Sequence, residues 1–162
     1  MSATIPKRPW AGLVVLLGVC FAVAWAGSAA TTPKISVWYA GLAKPAWNPP
    51  NWVFGPVWLV LYCCMAVAAW LVWRPGGFAA AWRPLTWFGV QLALNGLWSW
   101  IFFGLESPGW AFVELALLWT AIAVTTVEFW RRSPVAGVLF LPYLAWATFA
   151  GLLNFTIWRL NA

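Results

Sequence analysis

The chain has 162 residues, 64% of them hydrophobic and 7% charged, whereas a soluble domain carries about 25% charged residues. That composition excludes an ordinary soluble domain, and the length suits a single membrane domain spanning 1–162. Nine Lys/Arg against three Glu give a net charge of +6, but the cations stand singly or in pairs at the ends of apolar runs, where they anchor to lipid headgroups; no basic stripe exists for a nucleic acid.

A helix crosses the hydrocarbon core with about 20 apolar residues, and five runs qualify. They are predicted at about 10–30, 52–73, 85–103, 110–130 and 134–158, so the expected class is all-α, an integral membrane bundle of five transmembrane helices. The first run, behind Lys7-Arg8 and ending near Ala24-Trp25-Ala26, has the look of a secretory signal, but its apolar stretch exceeds the usual core of about 7–15 residues and reads as a retained helix. Its Gly18, Ala22 and Ala26 recur at four-residue spacing and read as a close helix contact. The connection at 31–51 is long for so compact a chain and reads as a lid-like loop. The other connections are tight: Arg74-Pro75-Gly76-Gly77, Glu106-Ser107-Pro108-Gly109 and Arg131-Arg132-Ser133-Pro134.

Loop charge sets the orientation. Lys7, Arg8, Arg74, Arg83, Arg131 and Arg132 fall on one side; Lys34, Lys44 and Arg159, with Glu106, fall on the other. The positive-inside rule then places the N-terminus in the cytoplasm for a bacterial inner membrane. An outer-membrane or organellar setting would remove that argument.

Polar groups inside a span are costly unless paired, which marks them for function or helix packing. On the third run Gln91, Asn95 and Ser99 recur at four-residue spacing, with Trp98 and Phe102 on the same side. On the fifth, Tyr143, Ala147, Ala150 and Asn154 share a face beside Trp146; on the second, Trp58 and Tyr62 are one turn apart. Turned inward, three aromatic-plus-polar stripes would line a ligand cavity; packed together, the same stripes would be interhelical glue. The residues alone leave both readings open. Gly89 and Ala93 make a further small-residue face on the third run. Glu128 reads as interfacial and paired with Arg131 and Arg132, and Glu114 as reaching toward the headgroups.

Seventeen tryptophans offer flat apolar faces with one N–H donor each, while the absence of histidine removes the commonest metal and haem ligand. Cys20, Cys63 and Cys64 lie in apolar runs without metal-binding spacing and read as small buried hydrophobes. No metal site and no hydrolytic or phosphoryl-transfer set of residues appears.

Trp38-Tyr39, Lys44-Pro45 and Trp47-Asn48-Pro49-Pro50 lead into Trp52 through Trp58 and on to Leu61-Tyr62; the third run reads Gln91 through Ser99, then Phe102-Phe103-Gly104; the fifth reads Pro142 through Trp146, then Leu153-Asn154. This set, in this order, resembles the TspO/MBR family (tryptophan-rich sensory protein, translocator protein, peripheral-type benzodiazepine receptor). The resemblance implies a five-helix membrane protein, commonly a homodimer, that needs no cofactor and binds protoporphyrin IX or a related tetrapyrrole, as part of stress or tetrapyrrole regulation. It places pocket residues at Tyr39, Pro49, Trp58, Tyr62, Asn95, Trp98 and Trp146. These join Tyr143, Ala150 and Asn154 from the stripes. Some family members promote light- and oxygen-dependent breakdown of the porphyrin through two tryptophans, which fall on Trp58 and Trp146. The pattern Leu153 to Arg159 departs from the sterol motif of animal members, with Phe155 and Thr156 where tyrosine would stand, so at most a weak sterol-like lipid contact is expected there.

Three functions follow in order: a tetrapyrrole-binding receptor or sensor, a porphyrin-degrading enzyme, and a porphyrin or lipid transporter. The last is disfavoured because no inverted repeat is visible. Without histidine, metal-free porphyrin is expected to bind in preference to axially ligated haem.

Overall fold

The computed structural model describes residues 9–162, except the side chain of Pro9; Lys7 and Arg8, on which part of the orientation argument rests, lie outside the described residues. The described chain is all-helical: α1 (Pro9–Lys34), α2 (Asn51–Trp73), α3 (Gly77–Ser99), α4 (Pro108–Arg132) and α5 (Pro134–Asn161). Two of them run on as wider π turns, α1 through Ile35–Tyr39 and α3 through Trp100–Gly104. Four stretches are long and apolar enough to cross a bilayer: Trp10–Tyr39, Asn51–Trp73, Pro108–Arg132 and Pro134–Asn161. The chain is an integral membrane protein. α3 falls short of that measure because Arg83, Gln91, Asn95 and Ser99 dilute its apolar content.

Prolines sit at two departures from the expected boundaries. Pro33 lies inside α1, and the helix absorbs the missing donor by widening over the next turn instead of ending. The helical path therefore covers most of 31–42, and the lid-like loop shrinks to 43–50. In α3 the helix starts at Gly77 instead of 85, with non-helical geometry at Ala81 (φ −122°, ψ 23°). Pro84 cannot donate to the carbonyl of Ala80, and that oxygen instead accepts from Arg132 Nη2 at 2.7 Å.

The arginine-rich end of the bundle is closely filled. Phe129 stacks on Phe88 with ring centroids 6.0 Å apart and meets Phe140 edge-on at 5.0 Å. Ala66, Ala68 and Ala69 bring α2 close to its neighbours. A Cβ on Gly12 would fall inside the Trp73 ring, so glycine sets that approach of α1 to α2. Gly18 and Ala22, expected at a close contact, face outward, and nothing lies within 4 Å of a Cβ at Gly18. Glu128 pairs with Arg83 (3.2 Å) and Arg131 (3.5 Å), not with Arg132.

Candidate functional site

At the opposite end the helices enclose a cavity of about 550 Å³, within the range of about 300–1,000 Å³ that holds a small organic ligand. α2 supplies Phe54, Trp58 and Tyr62; α3 supplies Asn95, Trp98 and Ser99; α5 supplies Tyr143, Trp146, Ala150 and Asn154. Tyr39 closes the wall from the end of α1. Nine of the ten sequence-derived site residues thus share one cavity. Pro49 does not line it: it sits in the 43–50 loop, where its carbonyl accepts from Asn48 Nδ2 at 3.0 Å.

The cavity floor is a hydrogen-bonded bridge across three helices. Tyr62 Oη donates to Asn95 Oδ1, and Asn95 Nδ2 donates to Tyr143 Oη at 2.7 Å. The Asn95 amide is therefore engaged at both Oδ1 and Nδ2, and it ties the two tyrosines together across the cavity floor. Asn154 is engaged likewise, accepting from Trp98 Nε1 at 3.1 Å and donating to the Pro108 carbonyl at 2.8 Å. Trp98 is thereby fixed, stacked on Phe102 at 5.0 Å. The Trp58 ring lies 5.5 Å from Tyr62 and 6.1 Å from Tyr143, and Trp146 lies 5.8 Å from Phe54.

The 43–50 loop is pinned over this end. Lys44 Nζ donates to the carbonyls of Tyr39 (2.6 Å) and Leu42 (2.8 Å), capping the last helical turn, and lies 4.7 Å from the Tyr39 ring centroid. Asn161 grips Ala43 by two hydrogen bonds of 2.9 Å each. Tyr39 Oη donates to Asn48 Oδ1 at 3.1 Å, and Trp47 packs edge-on against Phe149 at 5.8 Å.

Sequence reasoning overlooked the first and fourth helices. Gly27, Ser28, Thr31 and Thr32 of α1 line the cavity, as do Leu115 and Leu118 of α4. The hydroxyls of Ser28, Thr31 and Thr32, recurring at helical spacing, were the available signal. Of the buried polar side chains off the cavity wall, Gln91 (0% exposed) and Glu114 (6%) have no hydrogen-bond partner among the described residues. Glu114 thus sits in the bundle instead of reaching the headgroups. Among the described residues no cluster of His, Cys, Asp or Glu could hold a metal.

The family model of the TspO/MBR family matches residues 16–159. The human translocator protein is 51% identical over 126 residues, 76% of this chain and 75% of that protein. The tryptophan-rich protein TspO of Chlorobaculum tepidum is 42% identical over 92% of this chain and 95% of its own length. A tryptophan-rich sensory protein of Cereibacter sphaeroides is 41% identical over 94% and 92%. With a match that runs from within α1 to the end of α5, the chain belongs to the TspO/MBR family.

Proposed function

We propose that this protein is a membrane receptor or sensor that binds a tetrapyrrole, with protoporphyrin IX the type ligand, in the cavity between its helices. The observation that carries the reading is the wall itself: three indole rings, Trp58, Trp98 and Trp146, line about 550 Å³, and large apolar aromatic groups suit a planar apolar macrocycle. The indole N–H groups of Trp58 and Trp146 have no partner among the described residues and are free to meet polar edges. Metal-free porphyrin is favoured over axially ligated haem, since the chain has no histidine.

The same reading takes α3 as a fifth span, packed against α1, α2 and α4, and the arginine-rich end as cytoplasmic in a bacterial inner membrane. It takes the protein as a homodimer, with the outward-facing Gly89 and Ala93 as the contact face. A weak sterol-like lipid contact along the end of α5 belongs to the reading as well, through the outward-facing Phe155.

The test is titration of the detergent-purified protein with protoporphyrin IX in the dark, followed by tryptophan fluorescence. Saturable quenching, weakened by Trp146→Ala, is expected; quenching that never saturates would overturn the reading. A second reading, light- and dioxygen-dependent porphyrin breakdown, is favoured by the Trp58 ring lying against both Tyr62 and Tyr143, a chain of oxidisable rings. There the porphyrin is oxidised and dioxygen reduced. A new absorbing product under light, lost in Trp58→Phe while dark binding persists, would put that reading first.

A further inference from the structure

The hydrogen-bonding groups of the cavity are divided unevenly. Asn95 and Asn154 are engaged within the protein. On the α2 and α5 side the wall is mostly rings, and the donors there without an acceptor among the described residues are the indole N–H of Trp58 and Trp146, the Tyr143 hydroxyl and the Asn51 amide at the start of α2. On the α1 and α3 side stand four hydroxyls: Ser28, Thr31, Thr32 and Ser99. Ser28 Oγ and Thr32 Oγ1 are 3.2 Å apart, so one hydroxyl hydrogen serves that bond and the other is free. Thr31 donates to the Gly27 carbonyl at 2.9 Å and keeps its acceptor capacity. Ser99 makes no hydrogen bond among the described residues. A Cβ on Gly27 would come within 3.0 Å of Ser99 Oγ, so glycine is what lets the α3 hydroxyl reach the α1 group.

Ser28 and Thr32 are exposed on the outer edge of this wall. A hydroxyl facing lipid gains nothing from its surroundings, and burial without a partner costs free energy. The nearby cation Lys34 is held by Glu106 at 2.6 Å, so it brings no unbalanced charge. What remains is a run of neutral hydroxyls on α1, with Ser99 of α3 against Gly27, in the wall of the cavity that Trp58 and Trp146 also line.

We propose that this hydroxyl group on α1 and α3 is the seat for the carboxyl edge of the ligand. A flat amphiphile then enters with its ring system against Trp58 and Trp146 and its acid groups on Ser28, Thr32 and Ser99. The two free O–H donors point to a carboxylate, which accepts two such bonds. The assignment rests on the tetrapyrrole reading above and names the part of the ligand that α1 recognises.

The test compares protoporphyrin IX with its dimethyl ester, which keeps the ring and masks both acids. Both are titrated in the dark into the full-length protein and into a Ser28→Ala/Thr32→Val/Ser99→Ala variant. The wild type is expected to prefer the diacid by about tenfold or more. The variant is expected to lose that preference while still binding the ester saturably, which also shows that it is folded. If the triple variant does not fold, Ser99→Ala alone decides, with a partial loss of the preference expected. Preference retained in the variant, or no preference in the wild type, overturns the seat and leaves the tetrapyrrole reading standing. A wild type that binds neither compound overturns both.

Discussion

Toward the Arg83–Glu128 end, Phe88, Phe129 and Phe140 fill the bundle; toward the Lys34–Glu106 end, Trp58, Trp98 and Trp146 stand around a cavity. Both ends are rich in aromatic residues, so ring content does not decide which one closes. Partner size does. At the closed end α2 turns Ala66, Ala68 and Ala69 to its neighbours, which brings the helices near enough for rings from α3, α4 and α5 to interlock. At the open end α2 presents Phe54, Trp58 and Tyr62, while α1 answers with Gly27, Ser28 and Thr31. Side chains that small cannot reach the facing rings, and a cavity is the geometric result.

That contrast can be broken most severely at the closed end. Phe140→Ala removes a fully buried ring between Phe129 and Tyr143 and is expected to cost about 3–5 kcal/mol, read as a large fall in thermal midpoint in detergent. Trp58→Ala at the open end should cost less than half of that by the same measurement, because its neighbours already border a cavity, yet weaken ligand binding roughly tenfold. Equal losses of stability would erase the distinction. Next in size is Asn95→Leu, which strands the hydroxyls of Tyr62 and Tyr143. A loss of about 2 kcal/mol is expected in chemical unfolding, together with weaker binding, since this residue sits where the two ends meet. Of opposite sign is Glu114→Leu. Replacing a buried carboxyl that has no partner among the described residues should stabilise the protein by about 1–3 kcal/mol, seen as a raised midpoint. Smallest is Asn161→Ala, which frees the loop at Ala43. The ligand off-rate should rise roughly threefold in stopped-flow chase, with stability almost unchanged.

Much of this was legible in the chain. Apolar run length and Pro/Gly/charge punctuation located all five helices, and the stripes on α2, α3 and α5 identified most of the cavity wall, because side chains one turn apart must share a face. Three things were not legible. Pro33 reads as a terminator, yet the helix passes it by widening, since Trp38 and Tyr39 beyond it pack on Phe102 and Phe103; a local signal was overruled by a tertiary one. Gly18 and Ala22 carry the spacing of a helix contact but face outward, because spacing fixes which residues share a face and not where that face points. Asn95 was recognised as a site residue, but whether its amide meets a ligand or two tyrosines depends on side chains 33 and 48 positions away.

The bridge from Tyr62 through Asn95 to Tyr143 also has a mechanical meaning. It lashes α2, α3 and α5 into a tripod whose legs keep their spacing. α1 takes no part in the lashing and leans on the frame through packing alone at this level. A guest in the cavity therefore meets a hydrogen-bonded frame on α2, α3 and α5, while α1 meets that frame here by packing, Phe21 lying 6.4 Å from the Tyr62 ring.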